Sequence, residues 1–177
     1  MLDLSARWPS VALANPVLDA PGLHIAMRAD IGQHLVSGNL ENWNRRAGMS
    51  GDGVGASGLA SGSAYTVRIA SDRILAVNAP PDAVTAGWHP DGFAVTDMSA
   101  ALCVIDMQGE GLPQIISRAT SLDPRKPSRS ANCEFAGVTA AIYHYGDRDT
   151  LRLHVDRSLV PHVWTWLTLN IATAAAV

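Results

Sequence analysis

The pattern of this chain predicts an α+β fold: two pseudo-repeated βαββα units whose antiparallel sheets are covered by helices. Three observations carry that expectation. The C-terminal half reads as strand, helix, strand, strand, helix. The N-terminal half repeats that order more faintly. And 47% of the 177 residues are apolar against 16% charged, a balance that builds a core. The implied organisation is an N-terminal extension over residues 1–30, a first half over 31–90 and a second half over 91–177, forming one compact domain or two closely packed subdomains.

The second half gives the stronger signals. Ala100 to Met107 is a short, nearly continuous apolar run, as in a buried strand. Gly109-Glu110-Gly111 turns the chain, and Leu112, Ile115, Ile116 and Ala119 then fall on one face of a helix. A loop rich in Pro, Arg and Ser spans 123–130. Val138 to Tyr145 and Thr150 to Val155, on either side of Gly146-Asp147-Arg148-Asp149, read as a β-hairpin. Pairing Tyr145 with Thr150 puts Val138, Ala140, Ile142, Leu151, Leu153 and Val155 on one face, with His144 near its turn end. Tyr143, Arg152 and His154 fall on the other face, and the mostly apolar first face supports that register. The last helix is expected to start at Ser158 as N-cap, with Pro161 in its first turn, where a missing N–H costs nothing.

The first half follows the same order. Gln33 to Ser37 is a short strand, and Leu40, Trp43 and Ala47 mark a short helix. Tyr65 to Ala70 and Arg73 to Asn78 are two strands around Ser71-Asp72, and Pro80-Pro81-Asp82 opens a helical segment towards Trp88. The closest echo is between 72–77 and 149–155, the second strand of each hairpin.

Composition excludes several function classes. The net charge is −3 and no run of Lys and Arg occurs, which argues against nucleic acid or an anionic membrane as partner. The N-terminal residues lack the basic-then-apolar order of a signal peptide, and no apolar stretch is long enough to span a bilayer. The two cysteines, Cys103 and Cys133, make no disulfide framework and read as reduced thiols, so the expected location is cytoplasmic.

The candidate chemical motifs fail on context. Gly53-Val54-Gly55-Ala56-Ser57-Gly58 matches GxGxxG, but a dinucleotide site needs a strand before it and a helix after it. Neither 45–50 nor 59–63 has that pattern, so the segment reads as a flexible Gly/Ser loop. Gly109-Glu110-Gly111 is a tight turn with a helix start. The six histidines show no HxxxH spacing, the cysteines no CxxC, and no GxSxG marks a nucleophile. Cys103 shares a strand face with Ile105 and Met107 and reads as a core thiol. The expectation is a chain with no catalytic, cofactor or metal site of its own.

The last helix carries more information. Val160, Val163, Trp164, Leu167 and Ile171 form one apolar stripe, which should cover the sheet. Leu159, Trp166 and Leu169 form a second stripe, with His162 among them. A second stripe means burial on a second side, between the halves of the chain or under a partner subunit. Leu159, Trp166 and Leu169 are therefore the expected interface residues.

Several segments together resemble a known family. They are Thr96-Asp97-Met98-Ser99, the strand Leu102 to Met107, Gly109-Glu110-Gly111, Ser121-Leu122-Asp123-Pro124 and the closing run from Arg157 to Leu167. The closing run has Arg157-Ser158 at the helix start, then Trp164-x-Trp166-Leu167. The resemblance is to the gamma subunit of heterotetrameric sarcosine oxidase, over roughly Gly92 to Leu169. The motif residues are Thr96, Asp97, Ser99, Arg157, Ser158 and Trp164. This chain departs from the family in a short segment between Pro80 and His89 and in the Gly-rich insert from Gly51 to Gly62.

The resemblance implies a fold related to the folate-binding domains of glycine-cleavage aminomethyltransferase. It implies a non-catalytic scaffold in a complex that demethylates sarcosine, or a related N-methyl amine, by oxidation. FAD, FMN, NAD and tetrahydrofolate would sit in other subunits. The partners would be alpha and beta subunits, with delta where present, and the isolated chain would tend to self-associate. Two other readings stand beside it. A stand-alone folate-binding aminomethyltransferase would need a carboxylate in a central cavity, for which Asp97 and Asp106 are the candidates, although Asp97 in Thr-Asp-Met-Ser is better placed to tighten a turn. A small homo-oligomer with an unrelated role is the third.

Overall fold

The computed structural model describes residues 17–49, 51–123, 126 and 128–174. In chain order the elements are β1 (Val17–Ala20), β2 (Leu23–Arg28), β3 (Gln33–Gly38), α1 (Leu40–Ala47), β4 (Leu59–Ala60), β5 (Tyr65–Ala70), β6 (Arg73–Val77), β7 (Gly87–His89), β8 (Phe93–Asp97), β9 (Leu102–Gln108), α2 (Leu112–Ala119), β10 (Asn132–Phe135), β11 (Val138–Tyr145), β12 (Thr150–Asp156) and α3 (Val160–Ala174). Single 3₁₀ turns cover Pro81–Ala83 and Arg157–Leu159. The fold is α+β, as the sequence pattern predicts.

The strands form two sheets. The larger has seven strands in the order β1-β2-β9-β12-β11-β10, with β4 pairing in parallel to the end of β11. The smaller has five, in the order β5-β6-β3-β8-β7. Side-chain alternation decides what covers each face. On β9, β11 and β12, Ile105, Met107, Ile142, Leu151, Leu153 and Val155 pack under α2 and α3. On the smaller sheet, Val36, Ile74, Ala76, Phe93 and Val95 pack under α1, centred on the fully buried Trp43, whose indole N–H donates to Ala83 O at 3.0 Å. The remaining faces meet each other: Tyr65, Val67, Leu75 and Val77 press on Ala141 and Tyr143. The result is four layers, helices–sheet–sheet–helix, with a mixed apolar and polar seam between the sheets.

The local signals explain most boundaries. Asn39 caps α1, its side-chain oxygen accepting from Asn42 N at 3.0 Å, and Gly48 ends the helix at φ 62°. The hairpin register is the one the apolar face requires: Ala140 opposes Val155, Ile142 opposes Leu153 and Tyr143 opposes Arg152.

Several expectations need correction. Residues 17–28, assigned to an N-terminal extension, are a hairpin that continues the larger sheet through β2–β9 pairing. The smaller sheet also runs past residue 90, because β8 pairs with β3 from His34 to Gly38. Trp88 lies on the edge strand β7, since the helical segment after Pro80 stops after one turn. Ser158 does not cap α3; it lies in the 3₁₀ turn Arg157–Leu159 that leads into the helix, and Asp156 caps that turn, its Oδ1 accepting from Ser158 N at 2.8 Å and from Ser158 Oγ at 2.6 Å.

The Gly-rich segment is an ordered strap rather than a flexible loop. Val54 exchanges backbone bonds with Thr66 and Arg68 on β5, and Ala56 does so with Ser128 and Ser130. Gly58 O and Ala60 O then accept from His144 N and Gly146 N of the larger sheet at 2.8 and 2.9 Å. The glycines serve close approach: a Cβ on Gly55 would sit 1.7 Å from Ser128 O. The strap therefore ties the two sheets together through backbone bonds.

Candidate functional site

The seam between the sheets holds the densest polar constellation among the described residues. The sheet pleat explains it. Positions on β9, β11 and β12 that point away from the helices carry Asp106, Tyr143, Arg152 and His154, and those on β3 and β5 that face them carry Gln33 and Tyr65. All six are buried.

The hydrogen bonds form one directional chain. Gln33 Nε2–H donates to Leu102 O at 3.2 Å, which leaves Gln33 Oε1 as acceptor. His154 Nδ1–H therefore donates to that oxygen at 2.6 Å, and His154 Nε2 accepts from the Tyr143 hydroxyl, also at 2.6 Å. The Tyr143 oxygen in turn accepts from the Tyr65 hydroxyl at 2.9 Å, and the Tyr65 oxygen accepts from Arg152 Nη1 at 2.9 Å. Arg152 completes the chain with two bonds to Asp106: Nε to Oδ1 at 2.7 Å and Nη2 to Oδ2 at 2.8 Å. Its guanidinium lies 3.6 Å from the centroid of the Tyr145 ring. Arg28, on β2, donates from Nε to Asp106 Oδ2 at 2.7 Å.

The electrostatics follow from this geometry. Burial pulls His154 from its ordinary 6.5 to about 3, with the Arg152 charge acting in the same direction. Burial pushes the Tyr143 phenol well above its usual range. Asp106 stays below the usual carboxylate range, because hydrogen bonds and charge from Arg152 and Arg28 outweigh its burial. Arg152 is held charged by the same carboxylate and by Tyr65. The imidazole is therefore held neutral and the phenol protonated, each bonded to the other. The arrangement is chemically an interlock: every member satisfies its neighbour across two sheets.

The residues singled out from sequence fall into two groups. Asp97, Ser99 and Arg157 meet at one turn beside the seam. Asp97 Oδ1 accepts from Ser99 N at 2.9 Å, Ser99 Oγ accepts from Gln33 N at 3.0 Å, and Arg157 Nη1 donates to Ala100 O at 3.1 Å. They fix the connection from β8 to β9 against the start of α3, with Ser158 on the Asp156 cap. Thr96 is exposed on β8, opposite Leu35. Trp164 lies elsewhere, buried with Val160, Val163, Leu167 and Ile171 under the larger sheet. On the second stripe, Leu169 is 71% exposed and Leu159 is also exposed, whereas Trp166 is half-buried with its ring edge-on to Phe135 at 6.0 Å.

Sequence reasoning placed Tyr143, Arg152 and His154 on one face but gave that face no role. The available signal was three long polar side chains on one face of the hairpin, alternating with apolar ones on β11 and β12. Gln33 and Tyr65 carried no signal, because their partners lie 121 and 78 residues away.

Elsewhere, a surface groove of about 740 Å³ lies between the end of α1 and the strap, lined by Met49, Asp52, Leu59, Tyr65 and Pro80 among others. Its one carboxylate among the described lining residues, Asp52, stands 4.0 Å from Arg68 Nη1. Among the described residues no group of three or more His, Cys, Asp or Glu could hold a metal ion, and no helix is long and apolar enough to cross a membrane. Both cysteines are free thiols, and burial pushes each up in pKa.

Comparison with known proteins gives a likeness among solved structures. No family model and no curated protein matches the chain. Among solved structures, it resembles a chain of heterotetrameric sarcosine oxidase from Corynebacterium sp. U-96, solved in complex with pyrrole 2-carboxylate. The TM-score is 0.65 at 17% identity, covering 98% of this chain and 94% of that one. The two chains thus share one fold from end to end and are of nearly equal length.

Proposed function

We propose that this chain is a non-catalytic, gamma-type structural subunit of a sarcosine-oxidase-like complex, one that oxidatively demethylates sarcosine or a related N-methyl amine with a link to folate. The observation that carries the reading is the end-to-end match in fold and length to a chain of such a complex. The seam supports it. A protein-wide polar interlock gives a rigid body with fixed surfaces, which suits a scaffold. FAD, FMN, NAD and tetrahydrofolate would be held by the other subunits, alpha and beta, with delta where present, in a soluble cytoplasmic assembly.

The stand-alone folate-binding reading needs a carboxylate free to meet a ligand. Asp106 has both oxygens engaged by two arginines, and Asp97 is engaged by Ser99 N. The test is a tagged pull-down from the native organism, with mass spectrometry and a visible spectrum of the eluate. Two larger flavoprotein subunits in a yellow eluate are expected. A colourless, solitary chain, or tight tetrahydrofolate binding by that chain, overturns the proposal.

A further inference from the structure

We infer that Arg28 is an anchor for a carboxylate side chain on the partner subunit; this rests on the assembly reading above. The argument starts from a charge count in the seam. Asp106 is one carboxylate serving two guanidiniums, with Oδ1 taken by Arg152 and Oδ2 shared by Arg152 and Arg28. The aromatic and imidazole members of the chain are neutral, so the cluster carries one positive charge in excess.

That excess belongs to Arg28. Arg152 is buried and fully engaged: Nε and Nη2 on Asp106, Nη1 on Tyr65, its plane over Tyr145. Arg28 uses only Nε. Its two Nη groups have no partner among the described residues, and its side chain is 53% exposed. Asp19, further along the same sheet face opposite His24, is occupied by His24 at 2.6 Å. Arg28 ends β2, where it pairs with the buried Val104 of β9, so the central sheet fixes its backbone and Asp106 fixes its Nε. What remains is a half-exposed guanidinium fork, held through its Nε.

The chemistry of that fork selects its ligand. Two parallel N–H groups match a carboxylate bidentately, and an arginine held in place loses little freedom when it binds. A free carboxylate meeting one half-exposed guanidinium would bind weakly. A carboxylate carried on a docked protein surface forms the same pair inside a larger buried area and completes the charge balance that Asp106 leaves open.

The experiment uses the complex captured with the tagged chain. Affinity for the flavoprotein partner is measured at low and high salt for the wild type and for Arg28→Gln, Arg28→Lys and Arg28→Glu, with thermal unfolding of each free chain. Arg28→Gln is expected to weaken assembly by about 10- to 100-fold and to flatten its salt dependence, with Arg28→Lys intermediate and Arg28→Glu weakest. Arginine modification by phenylglyoxal, read by mass spectrometry, needs no variant: Arg28 should be modified in the free chain and protected in the complex. Assembly that forms normally with all three variants, or Arg28 modified equally in both states, overturns the inference and leaves the subunit reading intact. A wild-type chain that binds no flavoprotein subunit overturns both.

Discussion

Gln33, the first residue of β3, accepts a hydrogen bond from His154 on β12 at 2.6 Å, and so joins the five-stranded sheet to the seven-stranded one through a single buried imidazole. On its other side the imidazole must stay unprotonated at Nε2, where it accepts from Tyr143. The pH dependence of stability follows. The folded pKa, about 3, lies below the ordinary 6.5, so below 6.5 the unfolded chain binds a proton that the folded chain refuses. Stability is intact above pH 6.5 and falls as the pH drops from there towards 3, by about 1.4 kcal/mol per pH unit for one such group. His34 and His144, lowered in the same direction by burial, act in the same window. Urea unfolding at a series of pH values, for the wild type and His154→Gln, isolates the term. The variant should be less stable at pH 7 but lose less on acidification. Equal slopes would show that His154 does not carry the effect.

Asp106 makes a second, sharper prediction. Asp106→Asn removes the charge that two arginines share and strands buried Arg152, so it should cost about 3–5 kcal/mol in chemical denaturation. Replacing both partners together, as in Asp106→Leu with Arg152→Met, removes the unpaired charge and should cost less than Asp106→Asn alone. A double variant as unstable as the sum of its parts would mean that the pair is not the unit of stability.

This seam also shows where sequence reading stops. The hairpin register was legible because one face of β11 and β12 is apolar and a slip by one residue would bury Arg152 among the helices. The stripe of α3 was legible because Val160, Val163, Trp164, Leu167 and Ile171 repeat at helical spacing. The opposite face of the hairpin was not: Tyr143 and His154 look solvent-facing until a second sheet covers them, and no local rule announces that sheet. β7 escaped for a related reason. It is three residues long and is a strand through pairing with β8 alone. The strap was misread because glycines look the same whether they supply freedom or close approach.

Gly55 separates those two uses. Its backbone is not in the left-handed region, so alanine there meets a packing conflict rather than a conformational one: the new Cβ would lie 1.7 Å from Ser128 O. Gly55→Ala should cost about 3 kcal/mol, as the strap or the 128–131 segment must move. Gly48→Ala, in open space at φ 62°, should cost about 1 kcal/mol. Urea midpoints would measure both, and limited proteolysis should cut the Gly55 variant faster within 51–62. Equal costs would mean that the strap tolerates displacement and does not tie the sheets.

The two stripes of α3 can be told apart by the same logic. Trp166 already has an internal contact, edge-on to Phe135, whereas Leu169 and Leu159 are exposed. Trp166→Ala should therefore destabilise the free chain by about 1–3 kcal/mol, through lost burial and the aromatic pair. Leu169→Asp and Leu159→Asp should leave the free chain within about 0.5 kcal/mol of wild type. If this helix face meets a partner subunit, the same two aspartates should weaken assembly on the order of 10-fold or more, because each places an unpaired charge in a desolvated contact. Denaturation of the free chain and titration with the flavoprotein partner give the two readings separately. Aspartates that disturb neither stability nor assembly would exclude the exposed half of this stripe as the interface, and Trp166 would then owe its place to Phe135 alone.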